Sequence, residues 1–258
     1  MKTLIIPKKA IHSGSLILVN GQHPYHSDID ECSLAPVNTD SKDVMLERRA
    51  LTLLSKLMND ISGWTWISAV SGWRSKLEQQ ALYEYSLLEN GAAFTEQFVA
   101  RPNHSEHQTG LAIDLGLRKP DIDFIRPDFP YSGICQTFRK KAVPYGFIER
   151  YPKGKEAVTG IAQEPWHFRY VGAPHAAIMT EMGFTLEEYH AFLKKYPYGK
   201  KPFYYPNGHR SISVSYVEAA TGTDTKLEVD TSVPYSVSGN NMDGFILTEW
   251  GNDYDRRK

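Results

Sequence analysis

Ser105-Glu-His107-Gln-Thr-Gly110-Leu-Ala112-Ile-Asp114 and, fifty residues further on, Glu164-Pro-Trp-His167 are the stretches around which this sequence is organised. His107 ends what reads as a loop, Gly110 permits a tight turn, and Leu111-Ala-Ile-Asp-Leu-Gly-Leu117 reads as a strand. Asp114 then folds back beside His107, so that an imidazole nitrogen and a carboxylate oxygen converge. Pro165 stiffens the second stretch, placing His167 with that pair and Glu164 over the same point. Two histidines and one carboxylate leave a fourth tetrahedral position for water, the layout of a catalytic zinc site. Zinc brings the pKa of such a water to about 7. Glu164 is the expected catalytic base, taking its proton and returning it to a leaving amine. Either motif alone is weak; together they predict a zinc peptidase with ligands His107, Asp114 and His167 and one Zn2+ per chain.

Outward from these motifs, helices and strands mix. Residues 44–59 place Leu46, Leu51, Leu54, Leu57 and Met58 on one helical stripe. Trp64-Thr-Trp-Ile-Ser-Ala-Val70 reads as a short strand. Ser75-Lys-Leu-Glu78 fits a capping box opening a second helix that Gly91 stops, and Thr185-Leu-Glu-Glu188 opens another to about Lys195. Trp166-His-Phe-Arg-Tyr-Val171 is a further strand. Without a βαβ rhythm, the fold class is α+β with a central antiparallel sheet flanked by helices. Near Lys200 the composition turns to Ser, Thr, Asn, Gly and aromatics, and Ile212, Val214 and Tyr216 alternate with serines. Leu227/Val229, Tyr235/Val237 and Phe245–Leu247 are further strand candidates. The expected domains are therefore 1–200, catalytic, and 201–258, a small β-rich C-terminal extension packed on it.

Lys+Arg (29) and Asp+Glu (30) nearly cancel, leaving a formal charge of −1 and no electrostatic case for nucleic acid or an anionic membrane. The N-terminal apolar run stops at Pro7, and no window is long enough for a transmembrane helix, so the expectation is a cytoplasmic chain without a membrane anchor. Cys32 and Cys135 form no CxxC pair and read as plain buried or partly buried thiols.

Ser105-x-His107-x-x-Gly110-x-Ala112-x-Asp114 followed by Glu164-Pro-Trp-His167 resembles the paired signature of the zinc D,D-peptidases of the VanY, VanX and VanXY type. That family shares its fold with L-alanyl-D-glutamate endolysins and Hedgehog signalling domains. Ser71-Gly72-Trp73-Arg74-Ser75-x-x-x-Gln79 is similar to the family's Ser-Gly-Tyr-Arg-Ser-x-x-x-Gln segment, departing at Trp73. Tyr145-Gly-Phe-Ile-Glu-Arg-Tyr-Pro-Lys-Gly-Lys155 and Phe168-Arg-Tyr-Val-Gly172 continue the likeness, which spans roughly residues 45–195. It implies a Hedgehog/DD-peptidase-like fold and zinc chemistry.

Arg74, at a loop-to-helix junction, can offer two parallel donors to a carboxylate, and Gln79, or Gln80 beside it, one more. The resemblance implies that Arg74, Gln79 and Ser105 bind the C-terminal carboxylate of a D-alanyl-D-alanine end, Arg74 also serving catalysis. His104 matches no family ligand position. His175, His190 and His209 read as solvated, Trp166 as packing beneath the site, Tyr151 and Tyr170 as core or rim aromatics, and Ser27-Asp-Ile-Asp-Glu31 as a solvated loop. The implied activity is hydrolysis of D-Ala-D-Ala in the free dipeptide, in the pentapeptide peptidoglycan precursor, or in both, as in the soluble VanXY type that removes vancomycin's target. The alternatives are an endolysin-like L-Ala-D-Glu peptidase and a non-catalytic binding module, the latter disfavoured by the presence of Glu164.

Overall fold

The computed structural model describes residues 1–27, 29–207 and 210–251; Asp28 and His209 lie outside the described residues. In chain order the strands are β1 (Lys2–Ile6), β2 (Leu34–Pro36), β3 (Met45–Glu47), β4 (Ile67–Ser71), β5 (Ala112–Leu117), β6 (Phe147–Tyr151), β7 (Glu164–Tyr170), β8 (Phe203–Asn207), β9 (Arg210–Glu218), β10 (Thr225–Val229), β11 (Tyr235–Gly239) and β12 (Gly244–Trp250). The helices are α1 (Arg48–Asp60), α2 (Lys76–Asn90), α3 (Ala92–Phe98), α4 (Gly133–Ala142), α5 (Glu156–Thr159), α6 (His175–Met182) and α7 (Leu186–Leu193).

The chain divides into two compact units, Val19–Thr185 and Met1–Leu18 with everything from Leu186 onward. The division falls elsewhere than at the composition break near Lys200. Its reason is non-local: β1 pairs antiparallel with β10, Lys2 opposite Val229 and Ile6 opposite Thr225, which ties the first residues to the C-terminal strands.

In the Val19–Thr185 unit an antiparallel sheet runs in the order β4-β5-β7-β6. The helical stripe of α1 covers it as its spacing predicts: Leu54, Leu57 and Met58 are fully buried and Leu51 partly so. The helix begins at Arg48, because Met45–Glu47 pair with Leu34–Pro36 and the Glu47 carboxylate then accepts from the Arg49 and Ala50 amides at 3.0 Å. Trp64 lies in a 3-10 turn, and β4 starts only at Ile67. The capping box is present, the Ser75 and Glu78 side chains each accepting the other's amide. Phe129, Phe138 and Phe168 meet edge to face beneath the sheet.

In the other unit β11-β12-β9-β8 form a second antiparallel sheet, and Ile6, Val217, Leu227, Val229, Phe245 and Leu247 share one apolar cluster. The alternation predicted for β9 holds through Ile212 and Val214 and then fails, with Ser215 buried and Tyr216 half-buried. Two histidines expected in solvent are buried instead. His190 sits on the inner face of α7, where its Nε2 has the Leu16 carbonyl as a hydrogen-bond partner at 2.8 Å out of water; His175 opens α6 and is buried with Ala176, Ile178 and Met179 of the same helix. Cys135 is buried as expected, but Cys32 is exposed on a 3-10 turn. No helix among the described residues is long and apolar enough to cross a membrane.

Candidate active site and metal centre

Strand register assembles the site. β5 and β7 are antiparallel with Asp114 directly opposite His167, so their side chains leave one face of the sheet as neighbours. His107 arrives from a 3-10 turn, Glu106–Thr109, closed by Gly110 at φ 68°. Glycine is favoured there: a Cβ would lie 2.9 Å from Ile29 Cδ1, and the left-handed backbone is strained for most other residues. His107 Nε2 lies 3.1 Å from Asp114 Oδ2, and His167 Nδ1 lies 2.9 Å from Asp114 Oδ1. The two rings stand edge to face.

Glu164 and His167 are three apart on one strand, which would send their side chains to opposite faces. A bulge changes this. Glu149 opposes Phe168 and Tyr151 opposes Glu164, so β7 spends four residue steps where β6 spends two. The extra length turns Glu164 toward the site, its Oε2 3.7 Å from His167 Nδ1. Pro165 is tolerated because β5 pairs only with His167–Arg169 and asks nothing of an amide at 165.

The other nitrogen of each histidine has a partner. His107 Nδ1 is 2.6 Å from the Gly72 carbonyl, which can only accept, so Nδ1 carries the proton and Nε2 offers a lone pair. His167 Nε2 faces Glu106 Oε2 at 3.4 Å, leaving Nδ1 for a cation. Glu106 is buried, and Arg150 Nε and Arg169 Nη1, both on side chains without exposure, donate to its Oε1 at 2.8 Å. Burial opposes the charge of Glu106, but the two guanidinium groups outweigh it and hold its carboxyl well below the usual range. Asp114 is likewise held low by His107 and His167 against the effect of burial. Burial lowers His107. It also disfavours the imidazolium of His167, yet Asp114, Glu106 and Glu164 prevail and push that group up to about 10. Burial pushes Glu164 up to about 8.

These residues fit a divalent cation. One donor atom from each of His107, Asp114 and His167 lies within 4.8 Å of the others, all three buried. Asp114 Oδ1 is buried without a hydrogen bond of good alignment, its approach to His167 Nδ1 notwithstanding. Spacings of 3.1 and 2.9 Å are close to the roughly 3.3 Å between tetrahedral zinc ligands. Nitrogen and carboxylate donors suit zinc and also accept cobalt or manganese.

Arg74 lines the same cleft as the cation donors, with Gln79, Ser105, Tyr151 and Trp166. Its amide donates to the His107 carbonyl at 3.3 Å, tying the helix-start loop to the metal loop. Nη1 donates to Gln79 Oε1 at 2.6 Å and Nη2 to Ser71 Oγ at 2.7 Å, which orients the guanidinium. Gln79 is buried and gives Nε2 to the Ala100 carbonyl, while Gln80 is exposed and turned to Glu84. Trp166 reaches both core and cleft, Tyr170 is core, and Tyr151 packs 4.9 Å from the His167 ring. His104 bonds the Asn20 carbonyl and is absent from the cleft lining. Sequence reasoning missed Glu106, Arg150, Arg169 and Ser71; each lies inside a quoted motif, but a charge in a motif does not announce that it is buried.

A family model described as D-alanyl-D-alanine carboxypeptidase, VanY, matches residues 43–173. The chain is 44% identical over 180 residues to the bifunctional D-Ala-D-Ala dipeptidase and D-Ala-D-Ala carboxypeptidase VanXYC of Enterococcus gallinarum, covering 69% of this chain and 95% of that one. It is 30% identical over 255 residues to a D-alanyl-D-alanine carboxypeptidase of Enterococcus faecium, covering 94% and 77%. Among solved structures, the vancomycin resistance D,D-dipeptidase VanXYg, in complex with a D-Ala-D-Ala phosphinate analogue, has a TM-score of 0.92 at 47% identity over 97% of this chain and 99% of that one. VanYB in complex with D-alanine-D-alanine has a TM-score of 0.56 at 31% identity, over 69% and 97%. With the antiparallel sheet, the bulge-borne glutamate and the His-Asp-His cluster already in place, these likenesses make the chain a metallopeptidase of the VanY D-alanyl-D-alanine carboxypeptidase family, standing alongside its VanXY members.

Proposed function

We propose that the protein hydrolyses the D-Ala-D-Ala bond of peptidoglycan precursors, as both D,D-dipeptidase and D,D-carboxypeptidase, with one Zn2+ held by His107, Asp114 and His167. The observation that carries this reading is the shared cleft: the Glu164 carboxylate beside the three cation donors, and the Arg74 guanidinium lining the same space. Zinc, when bound, supplies Lewis acidity to water and to the substrate carbonyl. Glu164, whose carboxylate lies 3.7 Å from His167 Nδ1 in the same cleft as the cation donors, is placed to accept a proton and return it to the departing amine. Arg74, steadied by Ser71 and Gln79, takes the C-terminal carboxylate of the substrate, with Ser105 beside it. Recognition of a free carboxylate favours a peptide end over an internal L-Ala-D-Glu bond.

In this reading Val19–Thr185 is the catalytic domain, and loss of D-Ala-D-Ala ends gives the protein a role in vancomycin resistance. It works in the cytoplasm, where the precursors are made, a location that cell fractionation tests. The direct experiment measures D-alanine release from D-Ala-D-Ala and from a pentapeptide ending in D-Ala-D-Ala, before and after chelation and zinc return. Release from both, lost on chelation and restored by zinc, is expected; release from neither contradicts the proposal.

A further inference from the structure

Glu164 lies on an irregular stretch of strand, yet both of its chain neighbours are tied to one cluster. Gln163 Nε2 donates to Tyr131 Oη at 2.8 Å, and Arg139 Nη2 donates to the Pro165 carbonyl at 2.7 Å. The two anchors meet on Glu149: Arg139 Nε donates to Oε2 at 2.8 Å, and the Tyr131 hydroxyl donates to Oε1. Glu149 is also where the bulge begins, since it opposes Phe168 and the next match is Tyr151 with Glu164. The cluster therefore grips the bulge from both strands.

Arg139 is well placed for this. Its side chain is only 9% exposed, and its remaining donors reach the Pro130 and Phe129 carbonyls at 2.7 and 2.6 Å. Its guanidinium lies 3.9 Å from the Tyr131 ring centroid and 4.9 Å from that of Phe129. A stabilising ion pair needs Glu149 alone. The Pro165 carbonyl and the bond from Gln163 to Tyr131 go beyond it, and both fall next to Glu164. Burial, then Glu149, pushes the Tyr131 phenol up to about 12, so it stays protonated as the donor the cluster requires.

We propose that Arg139, Glu149 and Tyr131 are positioning residues for Glu164, holding the β7 bulge in the shape that keeps its carboxylate beside His167. The inference rests on the reading of Glu164 as the base. None of the three has an atom among the cation donors, so the role proposed for them runs through the placing of Glu164.

The test compares Arg139→Met, Arg139→Lys and Tyr131→Phe with Glu164→Ala, measuring kcat and KM for D-alanine release and zinc content of the purified chain. A misplacement of about 1 Å costs roughly a hundredfold, and Arg139→Met should lower kcat by that much. Tyr131→Phe, which removes one hydrogen-bonded hydroxyl, should lower it about tenfold. KM and zinc content should stay at wild-type levels. Arg139→Lys should recover part of kcat, since it keeps the charge but not the fork. Wild-type kcat in folded Arg139→Met overturns the proposal, as does a joint loss of zinc and rise in KM. If Arg139→Met does not fold, Tyr131→Phe decides, because Tyr131 is half exposed; an unchanged kcat there overturns the proposal as well. Glu164→Ala separates the two levels. If that variant turns over normally, the base assignment fails; if it is inactive while Arg139→Met and Tyr131→Phe match wild type, only the positioning role fails.

Discussion

The two units of the chain bury different things. In Val19–Thr185, Glu106, Asp114, Arg150, Glu164 and Arg169 are all buried, with His107 and His167 among them. In the unit formed by Met1–Leu18 and the chain from Leu186, the buried polar side chains among the described residues are His190, Ser215, Thr225, Ser238, Asn240, Asn241 and Thr248, none of them Asp, Glu, Lys or Arg. Several of these complete the backbone: Ser238 Oγ accepts from the Leu16 amide, Asn241 Nδ2 donates to the Leu18 carbonyl, and Asn240 Oδ1 collects three amides of its own turn. Removing a charge from water costs several kcal/mol unless a partner offsets it. Among the described residues, Asp, Glu and Arg are buried only around the candidate site, whereas in the other unit Ser238, Asn240 and Asn241 complete hydrogen bonds that the fold requires.

Glu106→Gln is the most disruptive way to probe that contrast. It removes the carboxylate charge that Arg150 and Arg169 share at 2.8 Å and should cost about 3–5 kcal/mol, read by denaturant unfolding with zinc content measured alongside. Wild-type stability would mean that the charges are not what holds this region. Arg74→Lys keeps the charge but loses the planar fork, and should raise KM roughly tenfold with less effect on kcat; an unchanged KM would remove Arg74 from carboxylate recognition. In the other unit, Ser215→Ala should be neutral or stabilising by about 1 kcal/mol, because Ser215 Oγ is buried without a hydrogen-bond partner among the described residues. A clear loss of stability would show a partner at that hydroxyl.

The smallest effect is at the surface. Burial raises Asp243, but Lys194 at 2.5 Å and Asn240 outweigh it and leave its carboxyl below the usual range. A depressed folded value contributes stability above the unfolded aspartate pKa of about 4, lost as pH falls through the folded value. Both side chains are more than a third exposed, so screening keeps the contribution under about 1 kcal/mol. Asp243→Asn should flatten acid unfolding slightly; an effect as large as that of Glu106→Gln would contradict this ranking.

Much of the site was legible because its signals are local. The His107–Gly110–Asp114 spacing encodes a turn into a strand, the α1 stripe has helical period, and Ser75 with Glu78 caps a helix within four residues. What stayed hidden depends on distant pairing or on burial. The bulge beneath Glu164 exists only in the register between β6 and β7. Glu106, Arg150 and Arg169 look like ordinary surface charges until the fold encloses them, and His175 and His190 read as solvated for the same reason. The pairing of β1 with β10 joins residues more than two hundred apart and leaves no mark in either segment.

The central claim is that three side chains hold the metal while Glu164 moves the proton. Zinc stoichiometry and D-alanine release, measured together on wild type and Glu164→Ala, test it most directly. One zinc per chain is expected in both proteins, with turnover lower by about 10³–10⁴-fold in the variant. Turnover that survives Glu164→Ala at full zinc occupancy would contradict the account.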